Sequence, residues 1–196
     1  ADWVGDSMGA RIALAAAVQA PKRIRRLVLE SGSPGLRAED ARARRRRQDE
    51  LLAQRIEKQG IESFVDYWMG QPLFATQRRL PVAVLQDARR RRLRNDPVAL
   101  ARVLRGLGTG SQPSYWDALK KVKVPTLLVT GDLDTRYTGI AREMATLLPR
   151  ARHVVIPGAG HNVHLELPRP FLEVVGPWLR AADDALEGIE LPARSS

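Results

Sequence analysis

No cysteine occurs in the 196 residues, so neither a disulfide framework nor a thiolate metal site can exist. Aromatic residues make up only 5% of the chain, which leaves the basic stretches without the stacking side chains expected of a strand-binding nucleic-acid surface. No apolar run approaches the ~18 residues that a membrane-crossing helix needs. Acidic residues are the minority charge: 22 Asp and Glu stand against 32 Lys and Arg, a formal +10. That balance favours anionic small molecules or surfaces as partners, although arginine-rich coding bias produces the same excess. No signal peptide is visible, and the chain opens in a strand without an initiating Met, so the sequence does not say what stands before it.

What is present begins at once. Gly5-Asp6-Ser7-Met8-Gly9 fits G-x-S-x-G, a strand-to-helix turn that holds a serine in a strained conformation with its hydroxyl exposed. Side chains at the two flanking glycines are expected to collide with the turn. The amide of Met8, at the start of the following helix, is placed to donate to a developing oxyanion with help from the helix dipole. ARIALAAAVQA then reads as a helix ended by Pro21, and RIRRLVLESG as a strand with the continuous apolar run Leu27-Val28-Leu29. Such runs suit a parallel strand covered on both faces.

The rest divides into three stretches. Residues 36–115 are polar and largely helical, with helices expected over 38–59, 61–69, 80–93 and 97–107 and Gly- and Pro-containing breaks between them. Residues 116–181 return to strand–helix alternation, with strands at 126–130 and 153–156 and a closing helix in PFLEVVGPWL. Residues 182–196 read as a frayed tail. With residues 1–35 this gives an α/β core interrupted by a helical insert, the layout of a lid over a site.

A serine activated as a nucleophile or base needs a histidine in reach and a carboxylate to orient it. In this strand–turn–helix class the chain order is Ser, then Asp or Glu, then His. The strand ending at Thr130 runs into Gly131-Asp132-Leu133-Asp134, and the strand ending at Ile156 into Pro157-Gly158-Ala159-Gly160-His161. His161 is the candidate base. Asp134 is preferred as the acid because it lies further out in its loop; Asp132 remains the alternative, with bonding to turn amides as its other role. His153 opens a strand and reads as structural. His164 lies one helical turn past His161, with only Glu166 near it in sequence, so no metal site is expected.

Three arginines have positions suited to an anionic pocket. Arg11 sits one turn beyond Ser7. Arg45, within Arg44–Arg47, shares a helical stripe with Leu52 and Ile56. Arg92, within Arg89–Arg92, aligns with Leu85 and Ala88. The usual fate of such charge runs is a solvated helix face.

Taken together, SMGARIALAAAVQAPKRIRRLVLESGSPGL, RGLGTGSQPSYWDAL, GDLDTRYTGIAREMATLLP and PGAGHNVHLELPRPF resemble the 2-succinyl-6-hydroxy-2,4-cyclohexadiene-1-carboxylate synthases, the menaquinone-pathway members of the α/β-hydrolase superfamily. The resemblance covers nearly all of residues 1–180. ESGSPGL, GLGTGSQPS and GHNVHLELP are closer to this one family than the elbow and histidine loop, which many hydrolases share. It implies a cytoplasmic lyase that eliminates pyruvate from a cyclohexene bearing three carboxylates, with no cofactor and a histidine-activated serine as the base. By motif its pocket falls on Ser7, Arg11, Arg45, Trp68, Arg92, Asp134 and His161, with Trp68 of DYWMGQP as a lid wall. Two departures stand out. Family members often carry an aromatic residue where this chain has Asp6. The family also begins well upstream, with several strands, a helix and an H-G-x-x-G-like loop that supplies a second oxyanion amide. The chain therefore reads as the C-terminal part of a longer enzyme, with the missing N-terminal half of that enzyme as its expected partner. A generic serine hydrolase and an inactive fragment are the alternatives.

Overall fold

The computed structural model describes residues 1–182; the tail expected over 182–196 lies, but for its first residue, outside the described residues. The chain forms two compact units. One comprises Ala1–Pro34 and the chain from Tyr115 onward, and the other is Gly35–Ser114.

The first unit is built on a four-stranded sheet, β1 Asp2–Asp6, β2 Arg26–Glu30, β3 Thr126–Gly131 and β4 Ala151–Ile156, in the order β1-β2-β3-β4. Every pairing is parallel, with Asp6 opposite Glu30 and Gly131 opposite Ile156. Side chains alternate across a strand, and here both faces are covered. Leu27, Leu29 and Leu128 pack with Ala10, Ala13, Leu14 and Ala17 of α1 (Met8–Gln19) and with Ala141 and Met144 of α5 (Thr135–Leu147). Val28, Leu127 and Val129, one residue out of phase, pack with Phe171, Val174, Val175 and Trp178 of α7 (Pro168–Arg180). The apolar runs are thus central parallel strands. Because all four strands run the same way, the segments leaving Asp6, Glu30, Gly131 and Ile156 emerge at one end of the sheet, where open α/β folds gather their functional groups.

The second unit is helical: α2 Glu39–Met69, α3 Val82–Leu93 and α4 Pro97–Leu107, around a small core of Ile56, Phe64 and Val65. α2 is interrupted at Gly60, whose φ of 78° and ψ of 177° are not helical. The chain thus leaves the helix at the glycine between the expected segments 38–59 and 61–69. α4 is capped by Asp96, whose side chain accepts the amide of Ala99.

Candidate active site

Ser7 occupies the turn between β1 and α1 with φ 51° and ψ −106°, a region that non-glycine residues seldom enter. The strained turn is held from both sides: the Ser7 amide donates to the Glu30 carbonyl at 2.8 Å, and the Arg11 amide donates to the Ser7 carbonyl at 3.1 Å. Gly5 is needed for this geometry, because a Cβ there would stand 2.4 Å from the Gly9 carbonyl carbon. Gly9 is different from expectation. A Cβ at Gly9 meets nothing within 4 Å, so the collision comes from the Gly5 side alone, where the elbow backbone crosses itself.

His161 reaches this serine from the segment after β4. Its Nε2 lies 2.9 Å from Ser7 Oγ and its Nδ1 2.6 Å from Asp134 Oδ2. The ring is 1% exposed, and Tyr137 packs edge-on against it with centroids 4.6 Å apart. Asp134 caps α5, its other oxygen accepting the Tyr137 amide at 3.2 Å. With Nδ1–H donating to Asp134, Nε2 is left to accept the serine proton. Between the two aspartates left open by the sequence, the structure gives the imidazole to Asp134. Asp132 Oδ1 instead accepts the Gly158 amide at 2.7 Å, which ties the acid loop to the histidine loop. Met8 is the first residue of α1, so its amide is among the first-turn donors that lack an intrahelical acceptor.

A second group of charges lies beside the first. His164 is partnered by Glu30 rather than by Glu166, its neighbour in sequence. Its amide donates to Glu30 Oε1 at 3.0 Å and its Nδ1 lies 2.8 Å from Glu30 Oε2. Glu166 turns back instead, accepting the amides of Gly160 at 2.9 Å and Asn162 at 3.3 Å, one on each side of His161. Asn162 Nδ2 donates to Asp6 Oδ2 at 2.9 Å. Glu30 hydrogen bonding lifts the His164 pKa above its ordinary value against an opposing desolvation. Desolvation first, then the Glu30 charge, raises the Asp6 carboxyl to about 6. Asp6, Glu30 and His164 bring ligand-type atoms within 4.8 Å of one another. Within that group Glu30 and His164 hydrogen-bond each other. The signal available in the sequence was Asp6 itself, in a position where the resembled family often has an aromatic ring. The register that sets it against Glu30 is a tertiary fact.

Arg11 is half-buried on α1. Arg45, Trp68 and Arg92 belong to the helical unit. Arg45 Nε donates to Asp49 Oδ1 at 2.7 Å, and Asp49 is buried. Arg92 is half-buried near the end of α3. Trp68 is half-buried, stacked on Phe64 at 5.6 Å and tilted against Phe74 at 5.7 Å. The remaining arginines of the runs mostly pair with nearby acids: Arg44 with Asp40, Arg46 with Glu39, Arg89 with Asp66, and Arg90 and Arg91 with Asp87. Among the described residues no helix is long and apolar enough to cross a membrane.

Residues 2–175 match the alpha/beta hydrolase family. The chain is 43% identical over 176 residues to a putative 2-succinyl-6-hydroxy-2,4-cyclohexadiene-1-carboxylate synthase of Bacillus subtilis (strain 168), covering 90% of this chain and 64% of that protein. It is 33% identical over 180 residues to the 2-succinyl-6-hydroxy-2,4-cyclohexadiene-1-carboxylate synthase of Salmonella heidelberg (strain SL476), covering 90% of this chain and 67% of that one. Among solved structures, MenH from S. aureus superposes with a TM-score of 0.88 at 38% identity, over 90% of this chain and 66% of the other. The chain thus spans about two thirds of the length of these relatives.

Proposed function

The chain belongs to the alpha/beta hydrolase family, among relatives named 2-succinyl-6-hydroxy-2,4-cyclohexadiene-1-carboxylate synthase, and on that premise we propose that it is the C-terminal part of such an enzyme. The proposed activity is a carbon–oxygen lyase reaction: pyruvate is eliminated from a cyclohexene carrying succinyl, carboxyl and enolpyruvyl groups. The observation that carries the reading is the unbroken hydrogen-bonded chain from Ser7 Oγ through His161 to Asp134.

In this reading His161 Nε2 draws the Ser7 proton, and the serine oxygen removes a proton from the substrate carbon. Asp134 holds the imidazole in the required tautomer and stabilises the imidazolium. The electron pair left on the substrate spreads towards a carbonyl, whose developing charge the Met8 amide and the α1 dipole stabilise. The carbon–oxygen bond to the enolpyruvyl group then breaks, and the departing enolpyruvate takes up the proton held by His161 to become pyruvate, which resets the imidazole. Neither cofactor nor metal has a part in this sequence of steps.

Three carboxylates ask for guanidinium partners, which bind them bidentately. Arg11, Arg45 and Arg92 are assigned to them. Arg45 is suited to the task because Asp49 takes its Nε and so holds the guanidinium in place. Trp68 would form part of the wall of a lid made by the helical unit. The relatives' additional length would supply the second oxyanion amide and further strands, and the setting of the pathway makes the protein cytoplasmic.

The experiment follows pyruvate release and the cleavage of a small neutral ester by the full-length protein and its Arg11→Ala, Arg45→Ala and Arg92→Ala variants. A desolvated Arg–carboxylate pair is worth ~2–5 kcal/mol when one partner is removed. Each variant should therefore lose roughly thirty-fold or more in kcat/KM for pyruvate release, with ester cleavage hardly changed. A parent that cleaves neutral esters efficiently and releases no pyruvate would make it a serine esterase on the same triad instead.

A further inference from the structure

Nothing in the proposed reaction asks for Asp6, and an extra carboxylate beside a polyanionic substrate is a disadvantage. Yet Asp6 sits at the junction of the two segments whose separation the chemistry depends on. It immediately precedes Ser7, and its side chain bonds Asn162, which immediately follows His161. The Asp6–Asn162 bond therefore runs alongside the Ser7–His161 bond as a second bridge between elbow and histidine loop. Asp6 is also the cross-strand partner of Glu30, which is 1% exposed and bonds the amide and ring of His164. Among the described residues no partner satisfies Asp6 Oδ1, although that atom is buried. A buried carboxylate oxygen without a donor is costly, whereas a proton on it leaves a neutral acid whose other oxygen still accepts from Asn162. The tether thus survives in both ionisation states, and only the charge changes.

We infer that Asp6 is a positioning residue for the base: through Asn162 it fixes the histidine loop against the elbow, and its ionisation state sets the charge beside the Ser7–His161 pair. The inference rests on the triad reading of that pair. The groups that face Asp6 are Glu30 from β2, His164 from α6 (Val163–Glu166), and His161 and Asn162 from the segment after β4. Glu30 opposes ionisation, while the two histidines and the Asn162 amide favour it. When Asp6 is anionic, its charge favours the imidazolium that forms as Ser7 gives up its proton. When Asp6 is neutral that help is withdrawn, so activation of Ser7 carries a second acidic step that the triad alone does not supply.

The test uses the full-length protein with two readouts: the ring resonances of His161 followed by NMR against pH, and the pH profile of Ser7 labelling by a fluorophosphonate. In the wild type both should show a step near the Asp6 midpoint, at about pH 6. Asp6→Asn preserves the shape and the bond to Asn162 but cannot ionise. It should erase the step from both readouts and slow labelling about three- to tenfold above the step while leaving it unchanged below. Asn162→Ala removes a donor that favours the carboxylate, so it should move the step to higher pH without erasing it. A step that persists in the Asp6→Asn His161 resonances, or one that Asn162→Ala leaves in place, overturns the inference. Labelling of Ser7 with no Asp6-dependent step would likewise overturn it and leave the triad reading standing. An Asp6-dependent step at His161 with Ser7 unlabelled would support the coupling and overturn the triad reading.

Discussion

Ser7, Asp134 and His161 leave the ends of β1, β3 and β4 and meet in one hydrogen-bonded chain, in the order Ser, Asp, His that this chain topology uses. The preference for Asp134 over Asp132 rested only on loop position; what decides it physically is the α5 N-terminus, which holds one Asp134 oxygen and turns the other to the imidazole. Asp6, Glu30 and His164 were not legible as a group. They are brought together by a strand register and by a loop that folds back over the strand ends, neither of which leaves a local pattern. The cluster has a thermodynamic consequence of its own. The Asp6 carboxyl is raised from 3.8 to about 6, so the folded state holds its proton more tightly than the unfolded chain does. That preference stabilises the fold fully below the ordinary value and is lost as pH rises through about 6. Relative to the low-pH state, an ionised and largely buried Asp6 then costs up to about 3 kcal/mol. Asp6→Asn removes the cost. Thermal melts should show the variant several degrees more stable than the wild type near pH 8, as expected for about 2–3 kcal/mol, and nearly the same at about pH 3, below the ordinary carboxyl value, where folded and unfolded wild type both hold the proton. An equal shift at both pH values would mean that packing, not charge, is responsible.

At the scale of elements, periodicity located the strands and most helices, and Gly60 falls at the break between the two helical segments expected in α2. The fully buried Arg26 could not be anticipated. It opens β2 as the last of three arginines in RIRR. In the fold Arg26 is 0% exposed, its Nη1 donating to the Trp178 carbonyl at 2.6 Å and its Nη2 to that of Ala181. A cation thus meets carbonyls at the C-terminal end of α7, where helices leave acceptors unfilled and the dipole favours positive charge. The same residue fastens α7 to β2, the strand whose end carries Glu30. Arg26→Ala would leave buried carbonyls unpaired and a cavity beneath α7. A loss of about 3 kcal/mol or more in urea unfolding is expected. Arg26→Lys should recover only part of it, because an ammonium lacks the planar fork that serves two carbonyls at once. A loss under about 1 kcal/mol for the alanine variant would show that α7 is held by its apolar face alone.

For the molecule as a whole, the parallel sheet covered on both faces was readable from the continuous apolar strands, and the insert from its change to polar helical composition. Charge was less informative: the +10 balance did not separate Arg11, Arg45 and Arg92 from arginines of the same runs that pair with neighbouring acids. Aromatic content was likewise silent on Trp68, whose stacking with Phe64 and Phe74 gives it a packing role whatever else it touches. The chain spans 64% of the Bacillus subtilis relative, and β1, with Trp3 and Val4 exposed, is one edge of the sheet formed by the described residues. The activity is therefore a property to be measured on the full-length protein. The central claim is that Ser7, activated by His161 and Asp134, is the base that drives pyruvate elimination. The most direct measurement is single-turnover release of pyruvate from the succinyl-, carboxy- and enolpyruvyl-substituted cyclohexene, wild type against Ser7→Ala. The account predicts release by the wild type and a loss of about a thousandfold or more in Ser7→Ala, since the variant removes the base itself. Pyruvate release by Ser7→Ala within about tenfold of the wild type, or none from the wild type, would contradict it.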